Sequence, residues 1–369
     1  MSRDIAVFGP AYLDRVLRVD DALIPPGFGP PLDQSVDGRL GFSETPGLEI
    51  RDPSGFEIHV RCPAGWPGPE GRIEVNRVLR AGVSGRRTVR GVAWQDDLGG
   101  MGAGYAAALG GSLASALGPE SDPNSRAIAR LLEAAGIAHR AIGIADQPAD
   151  WTLLITSGNH GDKLPIGFRG CHAAIRPDQL DPLIEGIGQT LVVAALPNRL
   201  AAQVLSAPNA RLRFFAPAMR NMLDIECPIS SFAGNIDLLC CNRQEWESME
   251  DREEVAWKVS ILVVTDGPNG GTIRFTAPNG DPGRISVPAF PRARPPRDTN
   301  RAGEAFASTL LATLLDHRWP PEQGVIEADL IRLAALRGSA AAGLVLDRVD
   351  FGFPPPAEID RAVAIGRID

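Results

Sequence analysis

The chain has 369 residues, of which 44% are apolar and 22% are charged; this ordinary globular composition excludes a mostly disordered or membrane-embedded protein. Lys and Arg number 37 against 45 Asp and Glu, so the formal net charge is −8. Because a surface that follows nucleic-acid phosphates needs excess basic residues, we expect no nucleic-acid partner. An acidic chain can still bind phosphate ligands locally through backbone amides.

Cysteine and histidine usage argues against a disulfide framework and a zinc site. The five cysteines include no C-x-x-C pair, which is typical of reduced cysteines in a cytoplasmic protein. The five histidines are scattered without metal-ligand spacing. The N-terminal segment lacks a signal pattern, and no apolar run reaches the length of a membrane span. We therefore expect a cytoplasmic location and no membrane partner.

The chain opens on a predicted strand and then changes character. Ile5–Phe8 is a short apolar run closed by Gly9-Pro10, which predicts a buried strand. Residues from about 21 to 85 are rich in glycine and proline, and they predict a loop-rich insertion with a few short strands. A surface elaboration is the first interpretation of this insertion, and a functional loop or interface is the alternative.

The next segment predicts a strand followed by a glycine-rich helix start. Thr88–Trp94 predicts the strand, and the Ala/Leu-rich stretch after Gly99-Gly100, as far as Leu117, predicts the helix. The sequence also predicts a helix over 125–135. It further predicts two paired strands, Trp151–Thr156 and Lys163–Phe168, which are joined by a turn at 158–161.

From about residue 177 the pattern becomes regular. Helices are predicted at 177–186, 198–207, 243–250, 251–258, 302–316, 327–346 and 356–366, and strands at 190–195, 211–215, 236–241 and 260–265. Apolar strands that alternate with amphipathic helices predict a parallel sheet covered on both faces. We therefore expect an α/β fold in one domain, with a smaller β element built from the early segments.

One late segment, Asp298-Thr-Asn-Arg-Ala-Gly-Glu304, carries the clearest chemistry. It predicts a turn that feeds a helix, so backbone N–H groups near Ala302 and Gly303 point at one spot, where the helix dipole favours negative charge. Glu304, in the first helical turn, is placed to accept a proton from a bound hydroxyl. The alternative for Glu304 is ordinary capping of the helix.

Four other segments accompany it: Gly9-Pro-Ala-Tyr-Leu-Asp14, Gly99-Gly100-Met-Gly-Ala-Gly104, Asn242-Arg-Gln-Glu245 and Thr265-Asp-Gly267-Pro-Asn-Gly270. In this order the chain resembles the ribokinase-like (PfkB) sugar kinase family. The corresponding family motifs are G-x-x-x-x-D, G-G-x-G-x-N, N-x-x-E, T-x-G-x-x-G and D-T-x-G-A-G-D. The resemblance covers most of residues 4–20 and 86–366 and leaves out the insertion.

This resemblance implies a three-layer α/β/α fold with a mostly parallel central sheet and a small β-sheet lid. The lid segments would be about 12–20, 86–95 and 151–168. The family transfers the ATP γ-phosphoryl group, with Mg²⁺, to a hydroxyl of a sugar or nucleoside. It also implies a homodimer formed through the lid, and the insertion at 21–85 would strengthen or block that interface.

By position in the motifs, the resemblance assigns substrate binding to Asp14, Gly99, Gly100 and Gly104. A single carboxylate at Asp14 can accept hydrogen bonds from two adjacent hydroxyls. The alternatives are a solvated aspartate at the strand end and a plain helix-start turn.

The resemblance also assigns residues to the nucleotide and the metal. Glu245 would hold Mg²⁺ and its waters, an oxygen-rich environment of the kind Mg²⁺ prefers. The residues that would border the nucleotide are Asn242, Thr265, Gly267, Gly270 and Ser339. The alternatives are a helix capping box for Asn242 and Glu245 and a simple tight turn for Thr265 and Gly267.

Four positions depart from the family pattern: Glu304 replaces the catalytic aspartate, Arg301 the first glycine of G-A-G-D, Gly104 an asparagine, and Ala216 the aspartate of an Asp-Pro pair. Arg301 is placed either to contact phosphate oxygens or to pair with Glu304. The residues to which the resemblance assigns catalysis are Glu304, Arg301, Ala302 and Gly303.

Two functions are consistent with these residues. The first is ATP-dependent phosphoryl transfer to a hydroxyl of a sugar-like or nucleoside-like small molecule, with Glu304 in the base position. The alternative is a catalytically degenerate relative that binds a ligand or a partner without phosphoryl transfer. The four departures and the insertion favour the second function, and the motifs in register favour the first.

Overall fold

The structure is a computed structural model that describes residues 4–22, 37–42, 47–51, 57–61, 73–76, 86–157, 163–185, 187–294, 296, 300–319, 325–348 and 351–368. The strands are β1 (Ile5–Phe8), β2 (Tyr12–Val19), β3 (Asp37–Phe42), β4 (Gly47–Arg51), β5 (Glu57–Arg61), β6 (Ile73–Asn76), β7 (Arg86–Gly99), β8 (Ser112–Leu117), β9 (His139–Gly143), β10 (Trp151–Thr156), β11 (Lys163–Phe168), β12 (Thr190–Ala194), β13 (Leu212–Ala216), β14 (Leu238–Asn242), β15 (Ile261–Thr265), β16 (Gly271–Thr276) and β17 (Pro282–Val287).

The helices are α1 (Met101–Leu109), α2 (Pro123–Ala134), α3 (Pro177–Ile184), α4 (Asn198–Leu205), α5 (Met219–Met222), α6 (Arg243–Ser248), α7 (Arg252–Lys258), α8 (Ala302–Asp316), α9 (Ala328–Val345) and α10 (Pro356–Ile365). Short 3₁₀ turns lie at Cys171–Ala174, Ile229–Ser231, Ala233–Asn235 and Gly267–Asn269. None of the helices within the described ranges has the length and apolar character needed to cross a bilayer.

The larger sheet has the order β17-β16-β15-β14-β13-β12-β1-β8-β9. Its strands are parallel except for β16 and β17, which pair antiparallel at one edge. Every residue of β12 is buried, as expected for a strand of a parallel sheet covered on both faces. The predicted α/β fold with a mostly parallel central sheet is confirmed.

The second sheet has the order β11-β10-β2-β7-β5-β4-β3-β6. Its first four strands form a small mixed sheet, in which β2 pairs parallel with β10 and antiparallel with β7. The four strands β3–β6 come from the insertion and join this sheet through parallel pairing of β5 with β7. The described parts of the insertion therefore extend the small sheet.

The prediction of one helix as far as Leu117 was wrong. Helix α1 ends at Leu109, because Gly110 takes a left-handed conformation (φ 66°) and its N–H bonds to the Ala106 carbonyl. Ser112–Leu117 is instead strand β8, which pairs with β1 and β9. The pairing in the sheet overrides the helical preference of this Ala/Leu-rich segment.

The topology positions the loops that carry the motifs. In a parallel sheet the carboxyl ends of all strands lie at one edge, and ligands bind in the crevice there. The segments that follow β1, β12, β13, β14 and β15 therefore open on a common edge. Strand β2 of the small sheet follows β1 after three residues and rises from the same edge.

Candidate active site

Helix α8 begins at this edge with its first turn facing open space. The N–H groups of a first helical turn have no acceptor within the helix. Among the described residues, a Cβ added to Gly303 would meet nothing within 4 Å, so no described residue is packed on that side of the turn. The N-terminus of this 15-residue helix is therefore a position suited to binding an anion. Asp298 and Thr299, which precede it, lie outside the described residues.

Arg301 caps α8 and tethers it to the small sheet. Its backbone is left-handed (φ 65°), a conformation that favours glycine, which explains the glycine of the family motif. Its Nη1 lies 3.5 Å from Oδ2 of Asp97, and both side chains are largely buried. The guanidinium carbon lies 5.8 Å from the centre of the Phe351 ring. Asp97, at the end of β7, was not selected from the sequence.

Glu304 and Gly104 face each other between α8 and α1. A Cβ on Gly104 would lie only 3.4 Å from Cγ of Glu304. This Cγ is the methylene that an aspartate lacks. The two departures from the family pattern are therefore adjacent in space, and the missing side chain at 104 leaves room for the longer carboxylate at 304.

Asp14 is held against the glycine pair that follows β7. A Cβ on Gly99 would lie 2.3 Å from the carboxylate carbon of Asp14, and one on Gly100 (φ 93°) 2.5 Å from the Pro10 carbonyl oxygen. Asp14 is also the cross-strand partner of Asp97. The two glycines are thus required by contacts within the chain, and they bring Asp14 to the same corner as Arg301.

Asn242 and Glu245 form the capping box of α6. Oδ1 of Asn242 accepts a hydrogen bond from the Glu245 N–H at 2.8 Å, and Oε2 of Glu245 accepts one from the Asn242 N–H at 2.9 Å. Burial and, to a smaller extent, repulsion by Glu304 raise the pKa of Glu245 to about 7. Glu245 therefore lies near Glu304, at the same end of the sheet.

The Thr265–Gly270 segment is a tight turn next to α6. Gly267 and Gly270 both have positive φ, and a Cβ on Gly270 would lie 2.0 Å from the Val287 carbonyl oxygen. Asp266 in this turn accepts a hydrogen bond from Nε of Arg243 at 2.7 Å. The turn is therefore fixed to the start of α6 and to the end of β17.

Ser339 lies on the wall of an apolar cavity of about 260 Å³. Its hydroxyl donates a hydrogen bond to the Pro288 carbonyl at 3.1 Å. The cavity lies between the segment after β17 and helices α9 and α10, and its lining includes Val287, Phe290, Leu336 and Val363. Phe290 belongs to the same small hydrophobic cluster as Ala302 and Ala305, so the cavity adjoins the start of α8. The sequence analysis missed this cavity apart from Ser339.

The structure therefore places the selected residues in two adjoining regions. Asp14, Gly99, Gly104, Arg301 and Glu304 meet where α1, α8 and the small sheet converge. A second region runs from the α6 capping box through the Thr265–Gly270 turn to the cavity at Ser339. Among the described residues, no group of three His, Cys, Asp or Glu side chains is arranged to hold a metal ion.

Comparison with known proteins places this arrangement in context. The family model described as pfkB family carbohydrate kinase matches residues 74–357, and no curated protein sequence matches the chain. The ribokinase structure from Giardia lamblia has a TM-score of 0.65 at 16% identity, covering 98% of this chain and 99% of that one. The nucleoside kinase of Methanocaldococcus jannaschii has a TM-score of 0.62 at 13% identity, covering 98% of each chain. The structure of Arabidopsis thaliana ribokinase complexed with ribose and ATP has a TM-score of 0.59 at 15% identity, covering 98% of this chain and 99% of that one.

The two glycines of the Thr265–Gly270 turn provide a matched test of its geometry. We expect Gly270→Ala to lower the free energy of unfolding by about 3 kcal/mol, because left-handed strain adds to a clash with the Val287 carbonyl. Gly267→Ala should cost only about 1 kcal/mol, since its Cβ would enter open space. Urea denaturation of both variants measures the difference, and equal losses would contradict the packed turn.

Proposed function

This chain belongs to the pfkB family of carbohydrate kinases, and from that premise we propose that it transfers the γ-phosphoryl group of ATP to a hydroxyl of a sugar or nucleoside. Glu304 is the proton acceptor in this proposal. The observation that carries it is the first turn of α8, where no described residue packs against Gly303 and Glu304 belongs to the same turn.

The residues present fit a nucleotide. The apolar cavity beside Ser339 suits a flat base, and it adjoins the start of α8 through Phe290. The Thr265–Gly270 turn lies between the cavity and the α6 capping box, because Gly270 packs against Val287 of the cavity wall. When bound, ATP supplies the phosphoryl group, and the α8 amides are placed for its terminal phosphate.

Glu245, which lies near Glu304, would hold one Mg²⁺ ion through water. Repulsion by the Glu304 carboxylate contributes to the raised pKa of Glu245, and a divalent cation nearby would relieve this repulsion. Mg²⁺ commonly binds through one or two carboxylates, phosphate oxygens and several waters. When bound, Mg²⁺ neutralises charge on the phosphates.

The polar groups of the first region then have the following roles. Asp14 accepts hydrogen bonds from two neighbouring hydroxyls and so orients the substrate. Glu304 takes the proton from the reacting hydroxyl at a carboxylate oxygen. The N–H groups of Ala302 and Gly303 stabilise charge on the transferring group, and Arg301 adds a positive charge beside them. The Arg301–Asp97 ion pair links this turn to the small sheet.

A non-catalytic, ligand-binding relative is the second candidate. The observation in its favour is the α6 capping box, in which one side-chain oxygen of Asn242 and one of Glu245 each accept a hydrogen bond from a backbone N–H group. Phosphorylation assays across sugars, polyols and nucleosides distinguish the two candidates: ATP turnover with any of them supports the kinase, and none with all of them supports the binding protein.

Replacing the proposed base tests its role directly. We expect Glu304→Gln to lower kcat at least 100-fold, because the amide cannot accept the proton. The nucleotide-induced shift in melting temperature should persist, since the α8 amides and the cavity are unchanged. Coupled ADP-release assays and thermal melts measure both quantities. Turnover within about threefold of the unmodified protein would exclude Glu304 as the base.

Two leucines on α9 test the position of the nucleotide base. Leu336 lines the cavity and Leu333 does not, although their exposures are similar at 43% and 39%. Leu336→Trp should fill the cavity and raise KM for ATP at least tenfold, and Leu333→Trp should leave it within about twofold. Initial rates at varied ATP concentration measure this, and identical KM values for the two variants would place the base elsewhere.

A further inference from the structure

A cluster of polar and charged side chains lies beside Asp14, and only Tyr12 among its members belongs to a motif considered so far. It consists of Tyr12, Asp150, Arg169, His172 and Arg220, which we call the arginine cluster. The Arg169 guanidinium carbon lies 5.2 Å from the centre of the Tyr12 ring, and the His172 ring meets the same ring edge-on at 6.2 Å. Burial raises the pKa of Tyr12, whose hydroxyl also senses Arg169, Arg220, Asp150 and Asp14.

The cluster and Asp14 face the same space. Tyr12 and Asp14 are alternate residues of β2, so their side chains lie on one face of the strand. Asp14 contributes to the electrostatic environment of the Tyr12 hydroxyl. Arg169 and Arg220 both reach solvent, so a ligand held by Asp14 has access to them.

Arg220 is held in place by its surroundings. Its guanidinium donates a hydrogen bond to the carbonyl of Ala195, a non-glycine residue with a left-handed backbone (φ 47°) at the end of β12. The next residue, Asn221, is buried and donates to the Leu196 carbonyl at 2.5 Å and to Oδ1 of Asn198 at 2.7 Å. This network joins the loops after β12 and β13, and a strained residue maintained in this way is typical of a functional site.

Two buried groups of the cluster have unused hydrogen-bonding capacity. His172 is 2% exposed, and neither ring nitrogen has a hydrogen-bond partner of normal geometry among the described residues. Burial, with Arg220 and Arg169 nearby, lowers the pKa of His172 to about 3, so the ring is neutral. Asp150 accepts from the His172 backbone N–H at 2.8 Å through Oδ2, and its Oδ1 has no partner in the described part of the chain.

We propose that the substrate carries an acidic group next to its hydroxyls, and that Arg169 and Arg220 bind this group. The inference rests on the proposed function, because Asp14 and Glu304 supply the hydroxyl and proton chemistry. Arg169 and Arg220 lie close enough for each positive charge to disfavour the other, and Asp150 is already hydrogen-bonded to the His172 backbone N–H. A carboxylate bound by both guanidinium groups would relieve this repulsion, so the substrate class is a sugar acid. Arginine suits this task because its planar fork matches carboxylate and phosphate oxygens.

The experiment compares matched ligands that differ in the acidic group. Aldonic and uronic acids are paired with the corresponding neutral alditols and aldoses, and sugar phosphates form a further arm. We expect kcat/KM with ATP to be at least 100-fold higher for an acid than for its neutral partner. Arg169→Met and Arg220→Met should each lower kcat/KM for the acid. The fold-loss for the acid should be at least ten times the fold-loss for its neutral partner. Arg220→Lys should recover part of the loss, and exposed Arg199→Met on α4 serves as the control.

Thermal melts with the same ligands and without ATP separate this inference from the proposed function. Stabilisation by acids alone, reduced by the two methionine variants, supports the acid site whether or not phosphorylation is detected. A preference for sugar phosphates also supports it and identifies the anion as phosphate. Equal binding and turnover of acids and neutral partners, or equal losses for both in the variants, would overturn it.

Discussion

The close approach of α1 to the end of β1 is the constraint on which the site depends. A Cβ on Gly102 would lie 2.5 Å from the carbonyl carbon of Gly9, and one on Gly9 2.6 Å from the Ala194 carbonyl oxygen. Backbone therefore packs on backbone where β1, β12 and α1 meet. This packing brings Gly104 to Glu304 and, on the other side, the end of β7 to Asp14. Side chains at these glycines would separate the elements that carry the carboxylates.

The structure shows how three of the four departures from the family pattern are accommodated, and Ala216 is the exception. Glu304 adds a methylene beside the position where Gly104 has no side chain. Arg301 adds a cation in a backbone conformation that favours glycine, and Asp97 supplies the opposite charge 3.5 Å away. The start of α8 is therefore packed against Gly104 and its cation is paired, which is compatible with the proposed kinase.

The sequence predicted the regular second half of the fold well, since its apolar strands alternate with amphipathic helices; α8 begins and ends where expected. It failed at Ser112–Leu117, because an Ala/Leu-rich segment has no strand signal and only pairing with β1 decides its structure. The motifs located Asp14, Glu304 and Gly270, which lie in short patterns. The arginine cluster has no such pattern, because its five members are spread from residue 12 to 220 and meet only in the folded chain.

The order of groups along β2 connects the acid site to phosphoryl transfer. Tyr12, with the arginine cluster, and Asp14 are two residues apart, a rise of about 6.6 Å along a strand. Across from Asp14 lies Asp97, which is tied to Arg301 at the start of α8. In the proposed complex, the acidic group of the substrate lies on the Tyr12 side of Asp14, and the reacting hydroxyl lies toward β7 and the start of α8. This arrangement separates the arginines proposed to bind the acidic group from the helix start proposed to bind the incoming phosphate. The net negative charge of the whole chain does not exclude an anionic substrate, because its binding would depend on the few arginines that lie at this edge.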